Sequence, residues 1–205
     1  MIGSAAAVLR VDYDDYLAIE RRGDARHEYL DGVLRAMSRG TTAHSLVKTN
    51  VLRAVGNALE GKPGLALDSD QRIDVAATGL DTYPDLSVTC GPIDRPARDR
   101  NAITNPTLVV EVISPSTEGH DLGFKRRHYQ RIPSLRQIVY VWPDQRAVEV
   151  HTRGEEGAWI VRDAADETIL LASIDAAIRR SQLFARIDEV LGPDDVEGGD
   201  PTPAD

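Results

Sequence analysis

Apolar positions along this chain change period several times, and each change marks an element. In Val11 to Arg22, VDYDDYLAIERR, the residues Tyr13, Tyr16 and Ile19 recur every three positions. That is the spacing of one helix face, and Asp12 stands where an N-cap is expected. HEYLDGVLRAMS pivots on Asp31-Gly32, a dipeptide that favours the positive φ angles of a tight hairpin turn. Thr42 to Glu60 carries the longest stripe, with Leu46, Val47, Val51, Val55, Ala58 and Leu59 inward and Gly61 as a stop, so a helix buried along one side is predicted. Short strands are expected at Leu65 to Asp68, at Arg72 to Ala76, and within YPDLSVTC and LVVEVIS. GHDLGFKRRHYQR predicts a helix with Asp121 near its cap, ended before Pro133. QIVYVW, AVEVHTR and AWIVRD alternate like an antiparallel meander, and SQLFARIDEVL predicts a closing helix. Strands interleaved with helices give an α/β fold, a mixed β-sheet flanked by helices.

Within that pattern one position breaks the rule. LVVEVIS, Leu108 to Ser114, reads as a strand buried on both faces, yet it contains Glu111. An unpaired ionised carboxylate there costs several kcal/mol or gives up its charge. In a strand, Glu111 and Ile113 share one face while Val110 and Val112 take the other. A second acid, Asp85, lies in the YPDLSVTC segment, and Lys125 opens the helical segment downstream. Two carboxylates with a backbone carbonyl form a partial shell for a hard cation such as Mg²⁺, and a nearby ammonium suits a hydrolytic transition state. Spacing alone leaves other readings open. Lys125 equally suits a surface lysine paired with Asp121 at i, i+4; Asp85 suits a turn end after Pro84, and Glu28 an exposed cross-strand position. His44 suits a helix start, because no second His or Cys stands at metal-ligand spacing.

The 205 residues, 41% of them hydrophobic, suit one sizeable core. A single domain through residue 191 is expected. The net charge of −9 is largely a tail property: seven acidic residues and no Lys or Arg follow from Asp188 onward, which leaves 24 basic against 26 acidic residues, −2, before it. Residues 192 to 205, GPDDVEGGDPTPAD, offer almost nothing to bury and are expected to be disordered. Basic residues gather at Arg95, Arg98 and Arg100 and again from Lys125 to Arg136, either as a solvated face or as a surface that tracks phosphates. No window of about 18 apolar residues exists, and no basic segment precedes an apolar core at the N-terminus, so neither a membrane partner nor a signal peptide is expected and the location expected is cytoplasmic. The lone Cys90 excludes an intramolecular disulfide.

Taken together, YPDLSV, then PTLVVEVISPST, then the D-x-x-x-K-x-x-x-Y spacing of DLGFKRRHY resemble the putative restriction endonuclease family of the PD-(D/E)XK nuclease superfamily. HEYLDGVL is similar to that family's Y-E-L-I-D-G-E-L signature, and His44 in TTAHS stands where the family commonly has a histidine. The resemblance runs from about Val11 to the last predicted helix. It implies a restriction-endonuclease-like core with an N-terminal helix and hairpin, and Mg²⁺-dependent cleavage of DNA, with Mn²⁺ as a substitute. Carried over position by position, Asp85 is the acid of the PD motif, Glu111 is the second acid, and Ile113 occupies the usual lysine's place and offers its carbonyl to the metal. Lys125 then stands for the displaced lysine, and Glu28 is an additional acid near the site. The family's G-V-P-E-Y-W-x-V-D-P stretch is RIPSLRQIVYVWPDQ here, without the Glu. The superfamily also includes members that bind nucleic acid without cutting it, and one small cleft per chain implies a homodimer for double-strand cutting.

Overall fold

The computed structural model describes residues 10–23, 25–37 and 40–191. The expected disordered tail lies outside these. Helix α1, Tyr13–Arg22, starts where Asp12 accepts the Asp15 N–H and ends on Gly23 at φ 75°, with Asp14 and Asp15 in its first turn and Arg21 and Arg22 in its last, matching the helix dipole. Tyr13, Tyr16 and Leu17 are its buried residues; Ile19, expected inward, is only half-buried. The hairpin of β1, His27–Leu30, and β2, Val33–Ala36, turns on Asp31 at φ 49° and Gly32 at φ 85°. A Cβ on Gly32 would sit 2.9 Å from the Arg10 Cβ, so glycine serves both the angle and the space. Helix α2, Thr42–Ala58, is capped by the Thr41 hydroxyl on the His44 N–H and buries Ala43, Val47, Val51, Ala54 and Val55 along one stripe.

The remaining elements are β3 Leu65–Asp68, β4 Arg72–Val75, β5 Leu80–Thr82, β6 Leu86–Thr89, β7 Ala102–Ile103 and β8 Leu108–Val112, then a wide-turn π-helical segment His120–Lys125 that runs into α3 Arg126–Tyr129. The meander follows as β9 Gln137–Trp142, β10 Ala147–Arg153 and β11 Trp159–Asp163, then the hairpin of β12 Thr168–Leu171 and β13 Ala176–Arg179, and α4 Arg180–Leu183. The strands divide between a six-stranded sheet, β11-β10-β9-β8-β6-β3, a five-stranded sheet, β2-β1-β5-β4-β7, and the two-stranded β12-β13. In the larger sheet β8 pairs parallel with β9 and antiparallel with β6, so the expected mixed sheet is present. Strands β5 and β7, at three and two residues, are too short for any period to show.

All five residues of β8 are buried. Leu108, Val110 and Val112 join the core under α2 and the β12–β13 hairpin. Val109 and Ile113 join a second core with Ile73, Leu80, Tyr129, Ile138 and Tyr140. Glu111 alternates onto that second face. The predicted closing helix is a correction: it stops after one turn at Leu183 and resumes only as a 3₁₀ turn, Ile187–Glu189. Asn50, buried on α2, donates to the carbonyls of Leu183 and Ala185 at 3.1 and 3.0 Å, taking up acceptors that a continuous helix would use for itself. Asp81, on β5, faces Asp74 directly across the β4–β5 ladder. Burial, and next the Asp74 charge, push its carboxyl up to about 7 against the pull of Arg72.

Candidate active site

Glu111 is fixed from the sequence upward by the alternation of β8, which turns it away from the α2 core. Its Oε1 accepts from the Tyr129 hydroxyl at 2.6 Å and lies 2.6 Å from Lys125 Nζ. The buried strand carboxylate therefore meets a buried ammonium. Lys125 is 3% exposed, which removes the surface-lysine reading. It does pair with Asp121 at 3.4 Å, but inside the protein. Asp121 is thus corrected from a helix cap to a buried counter-charge: no side chain caps this segment, and its π-helical turns bring residues 121 and 125 together on the buried side. Such wide turns recur at functional sites.

The N-terminal hairpin supplies a third acid. Glu28 is buried, and its Oε1 accepts from Thr82 Oγ1 at 2.6 Å and lies 3.8 Å from Lys125 Nζ. Its Oε2 takes the His120 Nε2 at 2.6 Å. The antiparallel register that sets Tyr29 opposite Asp81 brings Thr82 beside it. Asp85 leads into β6, where its Oδ2 accepts the Val112 N–H at 2.8 Å and lies 3.4 Å from His44 Nε2. His44 is a helix-start residue, as its position suggested, and also the neighbour of Asp85. Glu28, His44, Asp85, Glu111, Ile113 and Lys125 all line one cavity of about 950 Å³.

Electrostatics divide these acids. Burial pushes the Glu111 carboxyl up to about 8; the Lys125 ammonium pulls it down, while the charges of Asp121 and Asp85 add to the rise. Burial likewise opposes charge on Glu28, but the hydrogen bond from His120 and the Lys125 charge outweigh it and hold the carboxyl down at about 2. Burial also opposes charge on Asp85, which His44 first and then the Val112 N–H hold below the ordinary carboxylate value. Lys125 is raised despite its burial, chiefly by Glu111. One buried cation thus serves Glu28, Glu111 and Asp121 together.

Among the described residues no group of three or more His, Cys, Asp and Glu side chains stands in metal-holding geometry. A Mg²⁺ site needs fewer: one or two carboxylates, with waters and substrate oxygens completing the octahedron. Asp85 uses Oδ2 and Glu111 uses Oε1 for protein partners, and among the described residues the other oxygen of each has no hydrogen bond. That donor set fits a hard cation. Nothing in the sequence singles out His120; the Asp121 pair with Lys125 is legible there only as a surface contact and Tyr129 has no partner, whereas Asp121 is buried and Tyr129 bonds Glu111. The D-x-x-x-K-x-x-x-Y spacing held the only signal for the last two.

The chain is similar to other proteins along most of its length. A family model described as "Uma2: Putative restriction endonuclease" matches residues 13–178. Two proteins of the cyanobacterium Synechocystis are similar: slr1290, 36% identical over 162 residues, spans 78% of this chain and 84% of that protein, and sll1609, 24% identical over 153 residues, spans 75% and 86%. Both are described as uncharacterized. A crystal structure of a putative nuclease of the DUF820 group from Anabaena variabilis superposes with a TM-score of 0.68 at 18% identity, covering 86% of this chain and 99% of that one. The likeness shows a shared fold.

Proposed function

The chain belongs to the Uma2 family of putative restriction endonucleases, and from that premise we propose that its 950 Å³ cavity hydrolyses DNA phosphodiester bonds with Mg²⁺, or Mn²⁺ in its place. The observation that carries this reading is the fully buried Lys125 ammonium, 2.6 Å from Glu111 on the floor of an open cavity that also holds Asp85. A fold does not bury a lysine among acids beside solvent for stability alone, since well-packed apolar residues do as well or better.

In this reading Asp85, Glu111 and the carbonyl of Ile113 hold the cation, which supplies Lewis-acid stabilisation of charge on the phosphate oxygens. Lys125 presents a fixed positive charge to the attacking water and to the anionic transition state, pre-oriented at no cost during reaction. Tyr129 and His44 steady Glu111 and Asp85 respectively, and Glu28 with Asp121 keeps Lys125 charged. No helix among the described residues is long and apolar enough to cross a membrane. Double-strand cutting by one cavity per chain calls for two copies related by a two-fold axis, so a homodimer is part of the proposal.

Plasmid nicking with Mg²⁺, Mn²⁺ or EDTA tests it directly: cleavage should require a divalent ion and vanish in Asp85→Ala. The competing reading is a DNA-binding or interaction module that keeps the scaffold without cutting. It draws on one specific feature, that Lys125 and the Val112 N–H already satisfy Glu111 and Asp85 without any metal. DNA that binds in a salt-dependent way but is not nicked with either metal would decide for that module.

A further inference from the structure

A second pocket of about 400 Å³ adjoins the candidate active site and shares Glu28, Arg35 and His120 with it. Its other walls are Tyr29, Leu30, Val33, Leu80 and Phe124, with Asp31 and Arg10, whose guanidinium donates to the Asp31 carbonyl. The shared wall is itself organised. Arg35 contacts His120 Nδ1, and the opposite ring nitrogen contacts Glu28 Oε2 at 2.6 Å. A guanidinium only donates, so Nδ1 must accept; the His120 proton is then on Nε2 and is donated to Glu28. Arg35, opposite Glu28 in the β1–β2 register, is thus held at the border of the two cavities by the His120 ring, and it has no carboxylate within ion-pair distance among the described residues.

We propose that this pocket receives the unpaired base of the nucleotide next to the scissile phosphate, with Arg35 binding the backbone phosphate between the two cavities. The inference rests on the nuclease reading of the larger cavity. Three features select this occupant. The volume is in the range of ligand pockets, roughly 300–1,000 Å³. Its aliphatic and aromatic side chains suit the apolar faces of a base, and of its charged residues, Arg10 and Arg35 against Glu28 and Asp31, Glu28 already pairs with His120 and Lys125, which leaves Arg35 for a backbone phosphate. The pocket is also continuous with the catalytic cavity, one wall serving both, as neighbouring nucleotides of one strand require. His120 and His128 already flank the Phe124 ring, with centroids 4.8 and 4.5 Å away, so the base is enclosed by aliphatic walls and the ring edge rather than stacked on a free face. A base can reach such a pocket only when it is unpaired, which makes the preferred substrate single-stranded or locally melted.

Fluorescence anisotropy in EDTA tests this with a labelled single-stranded dodecamer, the same dodecamer as a duplex, and an abasic dodecamer of equal charge. Wild type should bind the single strand at least about fivefold tighter than the abasic strand, as removing the apolar faces of one base from water requires. Val33→Gln changes a side chain that is 45% exposed and should keep the fold, confirmed by an unchanged melting temperature. It should lose that preference while binding the duplex within about twofold of wild type. Arg35→Gln should weaken all three ligands and flatten the salt dependence. Equal wild-type affinity for the normal and abasic strands overturns the base pocket, and metal-dependent nicking in the same preparation would leave the nuclease reading standing. A wild-type protein that neither binds nor cuts any of these ligands overturns both.

Discussion

Replacing Lys125 with methionine keeps most of the side chain's length and packing while removing its charge. The ammonium lies 2.6 Å from Glu111, 3.4 Å from Asp121 and 3.8 Å from Glu28, so its loss leaves these buried acids without their counter-charge. Breaking a buried ion pair from one side costs about 3–5 kcal/mol, and in a domain of this length each kcal/mol lowers the melting temperature by about 2–4 °C. Lys125→Met in EDTA should therefore melt roughly 6–20 °C below wild type at pH 8. At pH 5 the deficit should shrink. A carboxyl raised in the folded state contributes stability below its ordinary value of 4.5 and loses it as pH rises through about 8. Without the downward pull of Lys125, Glu111 is already protonated at pH 8, so the charge stranded there is that of the other acids, and Glu28, freed from the Lys125 charge that helps hold it down, takes up a proton more readily towards pH 5. Glu111→Gln is the milder change, about 1 kcal/mol, because Lys125 keeps Asp121 and Glu28. The double variant Lys125→Met/Glu111→Gln should match the single variant within about 1 kcal/mol, because Glu111 is already neutral without Lys125 while Glu28 and Asp121 still lack their partner. Circular-dichroism melts at the two pH values measure all of this. A Lys125→Met protein within about 2 °C of wild type at pH 8 would refute Lys125 as the buried counter-charge of these acids.

Three further outcomes follow from other contacts. Asp81→Asn should stabilise the protein by about 1 kcal/mol or more at pH 8 and by less at pH 5, because a carboxyl raised to about 7 loses its contribution as pH rises through that value; urea melts showing no gain at pH 8 count against it. Tyr129→Phe removes the 2.6 Å hydrogen bond to Glu111 and should cost about 1–2 kcal/mol in the same melts, while nicking falls more than binding; unchanged nicking would make Tyr129 a packing residue only. Sedimentation at micromolar concentration should show a homodimer, and a monomer at every concentration would restrict the proposed activity to nicking.

Much of this molecule was legible before its fold was known. The Asp12 cap, the Asp31-Gly32 turn, the α2 stripe and the three-stranded meander rest on local rules, in which each residue's preference is set by neighbours within a few positions. The anomaly of Glu111 was legible for the same reason: a carboxylate in a doubly buried strand needs a partner, whatever the fold. Its partner was nameable only as a candidate, because the i, i+4 spacing of Asp121 and Lys125 suits a solvated helix face equally well. Tertiary structure decided the rest. The π-helical turns at His120–Lys125 put Lys125 inside, and the β1–β5 register placed Thr82 beside Glu28. His120 reached Glu28 from 92 residues away. Asn50 cut short a helix that its own sequence favours by taking the carbonyls of Leu183 and Ala185. Contacts of that kind join residues far apart in the chain, and their energies depend on burial and on distances that no local pattern encodes.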